Sequence, residues 1–163
     1  MAIDEVVARL REELAGLERE LRVELPKRIE HARELGDLRE SGEYESAKDR
    51  QGFLNARIGF LQARIAELQR IDLNAVPRDR VGFGSTVHLC DRDSGEEKVY
   101  RLLAAEQVDT ARGLISVGSP IGKSLMGKRP GDEVAVRTPG GAKAFRITKV
   151  FTIHDDLSGG GLA

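Results

Sequence analysis

Apolar side chains in the first part of the chain fall at alternating steps of four and three. Ile3, Val7, Leu10, Leu14, Leu17 and Leu21 form one such stripe, the heptad pattern of a helix that packs along another helix. Leu25, Ile29, Ala32 and Leu35 continue it after a second consecutive step of four. That repeated step is a stutter, which locally relaxes a supercoil. Pro26 falls at the shift. Inside a helix a proline removes a backbone donor and crowds the preceding turn, at a cost of ~3 kcal/mol. A kink or short break is therefore expected there, without an end to the rod. A second stripe runs through Tyr44, Ala47, Gln51, Leu54, Ile58, Leu61, Ile65 and Leu68. The two mirror each other, as the facing residues of an antiparallel hairpin must. Leu35 with Tyr44, Ala32 with Ala47, Leu25 with Leu54, Leu21 with Ile58 and Leu14 with Ile65 all have numbers totalling 79. The pivot lies between Arg39 and Glu40, and roughly 33 residues per arm at ~1.5 Å each predict a rod of about 50 Å.

After Leu73 the pattern changes. Asn74 to Arg80 is polar and contains Pro77, which reads as a linker. Short β-rich runs follow at Thr86 to Asp91, Glu97 to Leu103, Leu114 to Val117, Glu133 to Thr138 and Ala144 to Ile153. Asp93-Ser94-Gly95 and Pro139-Gly140-Gly141 read as hairpin turns. Ser119 suits the N-cap of a short helix, with Pro120 at its first position. The fold class expected is α+β: an antiparallel α-helical coiled-coil hairpin over 1–73 with an acidic tip near 36–43, a linker over 74–80, a small, mainly antiparallel sheet with a short helix over 81–156, and a flexible tail over 157–163.

Composition narrows the choices. Charged residues make up 33% of the 163 and aromatics only 4%, which suits a surface-rich hairpin that buries a narrow seam. A net charge of -1 argues against a general basic coat for nucleic acid, so any such contact must be local. Cys90 is the single cysteine, which rules out an internal disulfide. The start Met1-Ala2-Ile3-Asp4-Glu5 lacks the basic and apolar regions of a signal peptide. No run reaches the ~18 apolar residues of a membrane span. A cytoplasmic protein without membrane contact is expected.

The candidate chemistry is concentrated at the pivot, Gly36-Asp37-Leu38-Arg39-Glu40-Ser41-Gly42-Glu43-Tyr44. Gly36 and Gly42 bracket the turn and permit backbone conformations closed to other residues. Asp37, Glu40 and Glu43 stand three apart, where the N-terminus of the second helix favours negative charge. Two readings stand side by side. The carboxylates cap a solvated turn, or they complete a Mg²⁺ site supplied by another molecule, because Mg²⁺ keeps several waters and accepts one or two carboxylates. Behind the pivot lie Arg33, Lys48 and Arg50, either an ion-paired helix face or a local basic patch. Tyr44 falls on the seam, which favours packing over stacking on a base. His88, Cys90 and His154 have no metal-ligand spacing, and there is no phosphate-binding glycine loop or nucleophile motif.

The segment Ala32 to Tyr44, with Ala47-Lys48 and Phe53 to Ile58, closely resembles the bacterial Gre transcript-cleavage factors, the GreA/GreB family of transcription elongation factors. Gly82 to Val87, Ile115 to Ile121, Gly127-Lys128 to Val136 and Thr138-Pro139-Gly140-Gly141 extend the likeness over nearly the whole chain. The resemblance implies a DNA-binding transcription regulator, not catalytic alone, whose coiled coil enters the secondary channel of a backtracked RNA polymerase. Asp37 and Glu40, with Glu43 secondary, would help hold Mg²⁺ and the attacking water in the polymerase centre, with no cofactor of the chain's own. Arg33 and Lys48 match a basic patch that contacts the 3′ segment of the backtracked RNA, and Arg50 joins them by proximity. The second domain resembles an FKBP-like domain, which implies docking on the polymerase rim through Ser119, Pro120 and Ile121, not prolyl isomerisation. Ser41-Gly42 stands where the family commonly has Asn-Ala, which bears on efficiency more than on the class of activity. The chain is expected to act as a monomer. Rival readings are a homologue that occupies the channel and inhibits polymerase, a prolyl isomerase or chaperone with a helical arm, and a plain coiled-coil interaction protein.

Overall fold

A computed structural model describes residues 3–34 and 42–157. The chain divides into two compact units, Met1–Ile71 and Asp72–Ala163. Among the described residues, no helix is long and apolar enough to cross a membrane.

The first unit is built from α1 (Ile3–Arg19), α2 (Leu25–Glu34) and α3 (Gly42–Gln69). Both α1 and α2 pack along α3, the antiparallel hairpin that the mirrored stripes predict. Leu25, Ala32, Ala47, Leu54, Leu61 and Leu68 are at most 2% exposed. Val6, one place off the expected stripe, is also fully buried. The anomaly at Pro26 takes a different form from a break. Residues Glu20–Glu24 form a π turn, closed by the Leu25 N–H donating to the Glu20 carbonyl five residues back. A π turn fits one extra residue into a helical turn, and the stutter supplies one. It therefore returns Leu25 and Ile29 to the seam, and the helix passes through Pro26 into α2 without interruption.

The second unit holds a five-stranded sheet in the order β3-β2-β1-β5-β4. The strands are β1 (Thr86–Asp91), β2 (Glu97–Leu103), β3 (Leu114–Ser116), β4 (Glu133–Thr138) and β5 (Gly141–Phe151). Three neighbouring pairs are antiparallel, and β2–β3 is parallel. Leu89, Leu102, Leu125, Val134, Phe145 and Ile147 centre its core. Two departures from the sequence pattern have local causes. The β1–β5 register skips Thr148, passing from His88↔Lys149 to Leu89↔Ile147. This bulge moves the buried side of β5 from Phe145 and Ile147 to the half-buried Val150 and bends the strand. Strand β5 then stops at Phe151, not Ile153, because Thr152 and Asp155 cap a new helix, α5 (Ile153–Leu157). Asp155 Oδ2 accepts from the Thr152 N–H at 2.7 Å, the N3-to-N-cap half of a capping box, and the Asp155 N–H donates to the Thr152 backbone carbonyl at 3.0 Å.

The stretch 74–80 is tied to the sheet unit. His154 Nε2 lies 2.7 Å from the Val76 carbonyl, and Asp79 pairs with Arg129 at 3.3 Å. The short helix forms as its sequence signals require. In α4 (Pro120–Leu125), Ser119 Oγ accepts from the Gly122 N–H at 3.1 Å and donates to the Ser116 carbonyl at 2.7 Å, with Pro120 opening the helix.

Candidate functional site

Two helices meet at the end of the hairpin, and small residues let them approach. Ala32 on α2 and Ala47 on α3 are both fully buried, and Tyr44 is half-buried beside them, in keeping with a packing role. The last turn of α2 carries His31 and Arg33, and the first turn of α3 carries Glu43 and Glu45. Acidic side chains there complement the helix dipole. Asp37 and Glu40 lie outside the described residues; Glu43 is exposed.

Two open grooves flank this end of the rod. One, of about 620 Å³, is lined by Pro26, Ile29, Glu30, Arg33, Glu34 and Gln51. The Lys48 ammonium donates at 3.0 Å to Oε1 of Gln51, a residue that lines the same groove as Arg33. The other, of about 360 Å³, is lined by Arg28, His31, Gly42, Glu43 and Ser46. Glu43 thus faces a groove apart from that of Arg33. Arg28 and His31 were not singled out from the sequence; their spacing of three on α2, opposite the start of α3, was the signal available.

Arg50 does not join Lys48. Residues two apart on a helix point about 200° apart, and Arg50 is held elsewhere. Its Nε and Nη2 donate to the Glu20 carboxylate at 2.6 and 2.9 Å, and its guanidinium stacks on Phe53 at 4.9 Å from the ring centroid. The same pattern recurs one heptad along, where Arg57 binds Glu13 at 2.9 Å and stacks on Phe60 at 5.2 Å. The hydrogen bond from Arg50 holds the Glu20 carboxyl below its ordinary value near 4.5. A group with a depressed folded-state pKa stabilises fully above its unfolded pKa and loses that contribution as pH falls through the folded value. The hairpin should therefore soften as the pH drops below about 4.5. Glu20→Gln should flatten that part of a thermal-midpoint profile measured from neutral to acid pH.

The expected docking residues divide by environment. Ser119 caps α4, Ile121 packs against the core of the sheet unit, and Pro120 is exposed. Among the described residues, no group of three or more His, Cys, Asp or Glu stands close enough to hold a metal ion.

A helical hairpin joined to a small curled-sheet domain, with an acidic sequence between the hairpin arms, defines a two-domain α+β factor. The family model described as "Transcription elongation factor, N-terminal" matches residues 4–69, and that described as "Transcription elongation factor, GreA/GreB, C-term" matches 76–152. The chain belongs to the GreA/GreB family of transcription elongation factors. It is 45% identical over 144 residues to transcription elongation factor GreA of Desulfotalea psychrophila, covering 88% of this chain and 89% of that one. It is likewise 45% identical over 142 residues to GreA of Vibrio parahaemolyticus, covering 86% and 90%. Among solved structures, it is similar to the GreA factor homolog 1 of Thermus thermophilus, at 28% identity and a TM-score of 0.41, covering 88% and 93%. A GreA/GreB factor from Nitrosomonas europaea matches at 34% identity and a TM-score of 0.43, covering 56% and 78%.

Proposed function

We propose that this transcription elongation factor acts on RNA polymerase by passing its helical hairpin into the secondary channel and stimulating the polymerase's own cleavage of backtracked RNA. The observation that carries the reading is the packing of α2 on α3, with the acidic run Gly36 to Tyr44 between them in the sequence. This acidic run joins two helices whose arms close on each other at the buried pair Ala32 and Ala47. A stiff rod with carboxylates at one end can carry charge into a site that it does not itself contain.

The donors suit the task. Asp37 and Glu40 offer hard carboxylate oxygens, the ligand type that Mg²⁺ takes while keeping waters and accepting further ligands from elsewhere. Bound there jointly with the polymerase, Mg²⁺ would supply the charge that activates water and stabilises the departing oxygen. The chain's own residues would orient and electrostatically bias: Asp37 and Glu40 would hold the ion and position the water, and Glu43 would add negative potential nearby. Arg33 and Lys48 contact phosphates of the RNA 3′ segment, a sequence-independent and salt-sensitive interaction. Arg50, engaged by Glu20, braces the rod. The sheet unit docks on the polymerase with Pro120 at the contact. On this reading the protein is silent without polymerase and acts as a monomer.

The test adds the purified chain to a stalled, backtracked elongation complex. Release of short 3′ RNA fragments and resumed elongation are expected. Intact RNA with slowed nucleotide addition would favour the inhibitory kind of homologue, and turnover of a proline peptide without polymerase would favour an isomerase.

A further inference from the structure

The side of α3 turned away from the hairpin seam carries a second apolar pattern. Gly52, Ala56, Gly59, Ala63 and Ala66 recur at steps of four and three, and all five are exposed. Beside them stand Phe53 and Phe60, one heptad apart and 54% and 57% exposed. The seam through Leu54, Ile58, Leu61 and Ile65 lies on the opposite side, so α3 is apolar on two sides and the hairpin uses one. A helix with apolar residues on two sides has one left over for a contact outside the hairpin.

Nothing within the hairpin requires these residues. A Cβ added at Gly52 or Gly59 would meet no atom within 4 Å, although glycine in a helix interior costs about 1 kcal/mol relative to alanine. The two rings are also held in place. Glu20 fixes Arg50 against Phe53, and Glu13 fixes Arg57 against Phe60. Aromatic side chains already ordered lose little freedom on binding and make efficient anchors.

Charge decides the kind of partner. From Gly52 to Ala66, Arg57 and Arg64 are the only charged residues, and each is ion-paired, Arg57 with Glu13 and Arg64 with Glu67. With both cations already paired, the strip offers little to phosphates, which argues against RNA or DNA as its occupant. Its complement is an uncharged, apolar protein surface. The strip spans about 20 Å, which is short for the ~800 Å² per partner of a stable free-standing interface. It therefore suits one patch of a larger contact better than the whole of a dimer interface. Gly52 and Ala66 lie about 15 and 36 Å along α3 from Gly42, so insertion of the tip would carry the strip in behind it.

We propose that this outer strip of α3 docks against an uncharged apolar wall of the RNA polymerase channel. Gly52 and Gly59 admit the close approach, and Phe53 and Phe60 enter apolar pockets. The proposal rests on the reading that the hairpin enters the polymerase.

The test measures binding of the full-length chain to purified RNA polymerase, with thermal midpoints recorded in parallel. Gly59→Leu adds bulk to the strip. Gly16→Leu makes the same change on α1, at another exposed glycine with no atom within 4 Å of an added Cβ. Both should raise the midpoint by improving helix propensity. Gly59→Leu alone should weaken binding, by about tenfold or more. Phe60→Ser should do likewise, by the same factor at low and high salt because no charge is lost. Wild-type binding by Gly59→Leu and Phe60→Ser would overturn the docking strip while leaving channel entry standing. Failure of the wild type to bind polymerase would overturn both. A wild-type dimer in sedimentation that Phe60→Ser converts to monomer would assign the strip to a second copy and overturn the proposal.

Discussion

Asp37→Ala is expected to reduce factor-stimulated release of 3′ RNA fragments by about 10²-fold or more, with binding to polymerase retained. On the proposed reading, loss of one of two carboxylates would remove a ligand and a full negative charge from the polymerase centre, and 10²-fold corresponds to about 2.7 kcal/mol of transition-state stabilisation. Asp37→Asn should fail nearly as badly despite its matching shape, because a neutral amide is a poor ligand for a hard cation. Glu40→Ala should match Asp37→Ala. The double variant should add little, since two ligands of one ion act as a unit. Glu43→Gln, which alters only nearby potential, should cost less than about tenfold. Single-turnover cleavage in backtracked complexes at saturating factor separates chemistry from binding, and competition with unmodified chain measures binding directly. Full stimulation by Asp37→Ala would sink the assignment. Weakened binding with an unchanged saturated rate would make Asp37 a docking residue instead.

How much of this molecule could be read from its sequence depended on whether the governing interactions were periodic. The mirrored stripes from Leu14 to Ile65 repeat because one row of side chains must meet another, and so they revealed the hairpin. The stutter at Leu25 and the proline at 26 were both visible. Their resolution as a π turn was not, because a break and a one-residue bulge leave the same mark in the pattern. Strands β1, β2 and β4 kept their boundaries, since each adjoins one of the turn sequences Asp93-Ser94-Gly95 or Pro139-Gly140-Gly141. Strand β5 did not: the bulge at Thr148 reverses its alternation, and the Thr152–Asp155 cap depends on two side chains that β-propensity ignores. At the site, Arg33 lines one groove and Lys48 bonds Gln51, which lines it too. Arg50 had been grouped with them by distance along the chain, although helical phase places it on the far side against Glu20. The outer strip of α3 escaped notice because glycine and alanine carry weak hydrophobic signals, and its two phenylalanines acquire meaning only once the seam is known to face the other way.

Gly122→Ala should be the most damaging single-methyl change in the sheet unit. Gly122 is buried in the first turn of α4, and a Cβ there would lie 2.1 Å from the Ser116 carbonyl oxygen and 3.0 Å from Ser119 Oγ. Ordinary carbon–oxygen contact needs over an ångström more than the first of these distances, and the obstacle is backbone, which cannot rotate aside. The helix must therefore lift. Lifting stretches the bond from the Gly122 N–H to Ser119 Oγ, whose loss as an N-cap costs about 1 kcal/mol. It also draws the fully buried Leu125 and the packed Ile121 away from the core, and overpacking of this kind costs about 1–3 kcal/mol more. A total near 3 kcal/mol should lower the midpoint of the sheet unit by roughly 12–24 °C. Gly118→Ala is the matched control, since its Cβ would meet only Ser116 Oγ at 3.6 Å and should shift the midpoint by no more than a few degrees. Calorimetry of the full chain, with methyl NMR signals of Leu125 and Ile121 as local reporters, distinguishes displacement of α4 from general unfolding. An unshifted midpoint for Gly122→Ala would mean that α4 can move off Ser116 at no cost, and the account of how Ser119 and Pro120 are positioned would have to be abandoned.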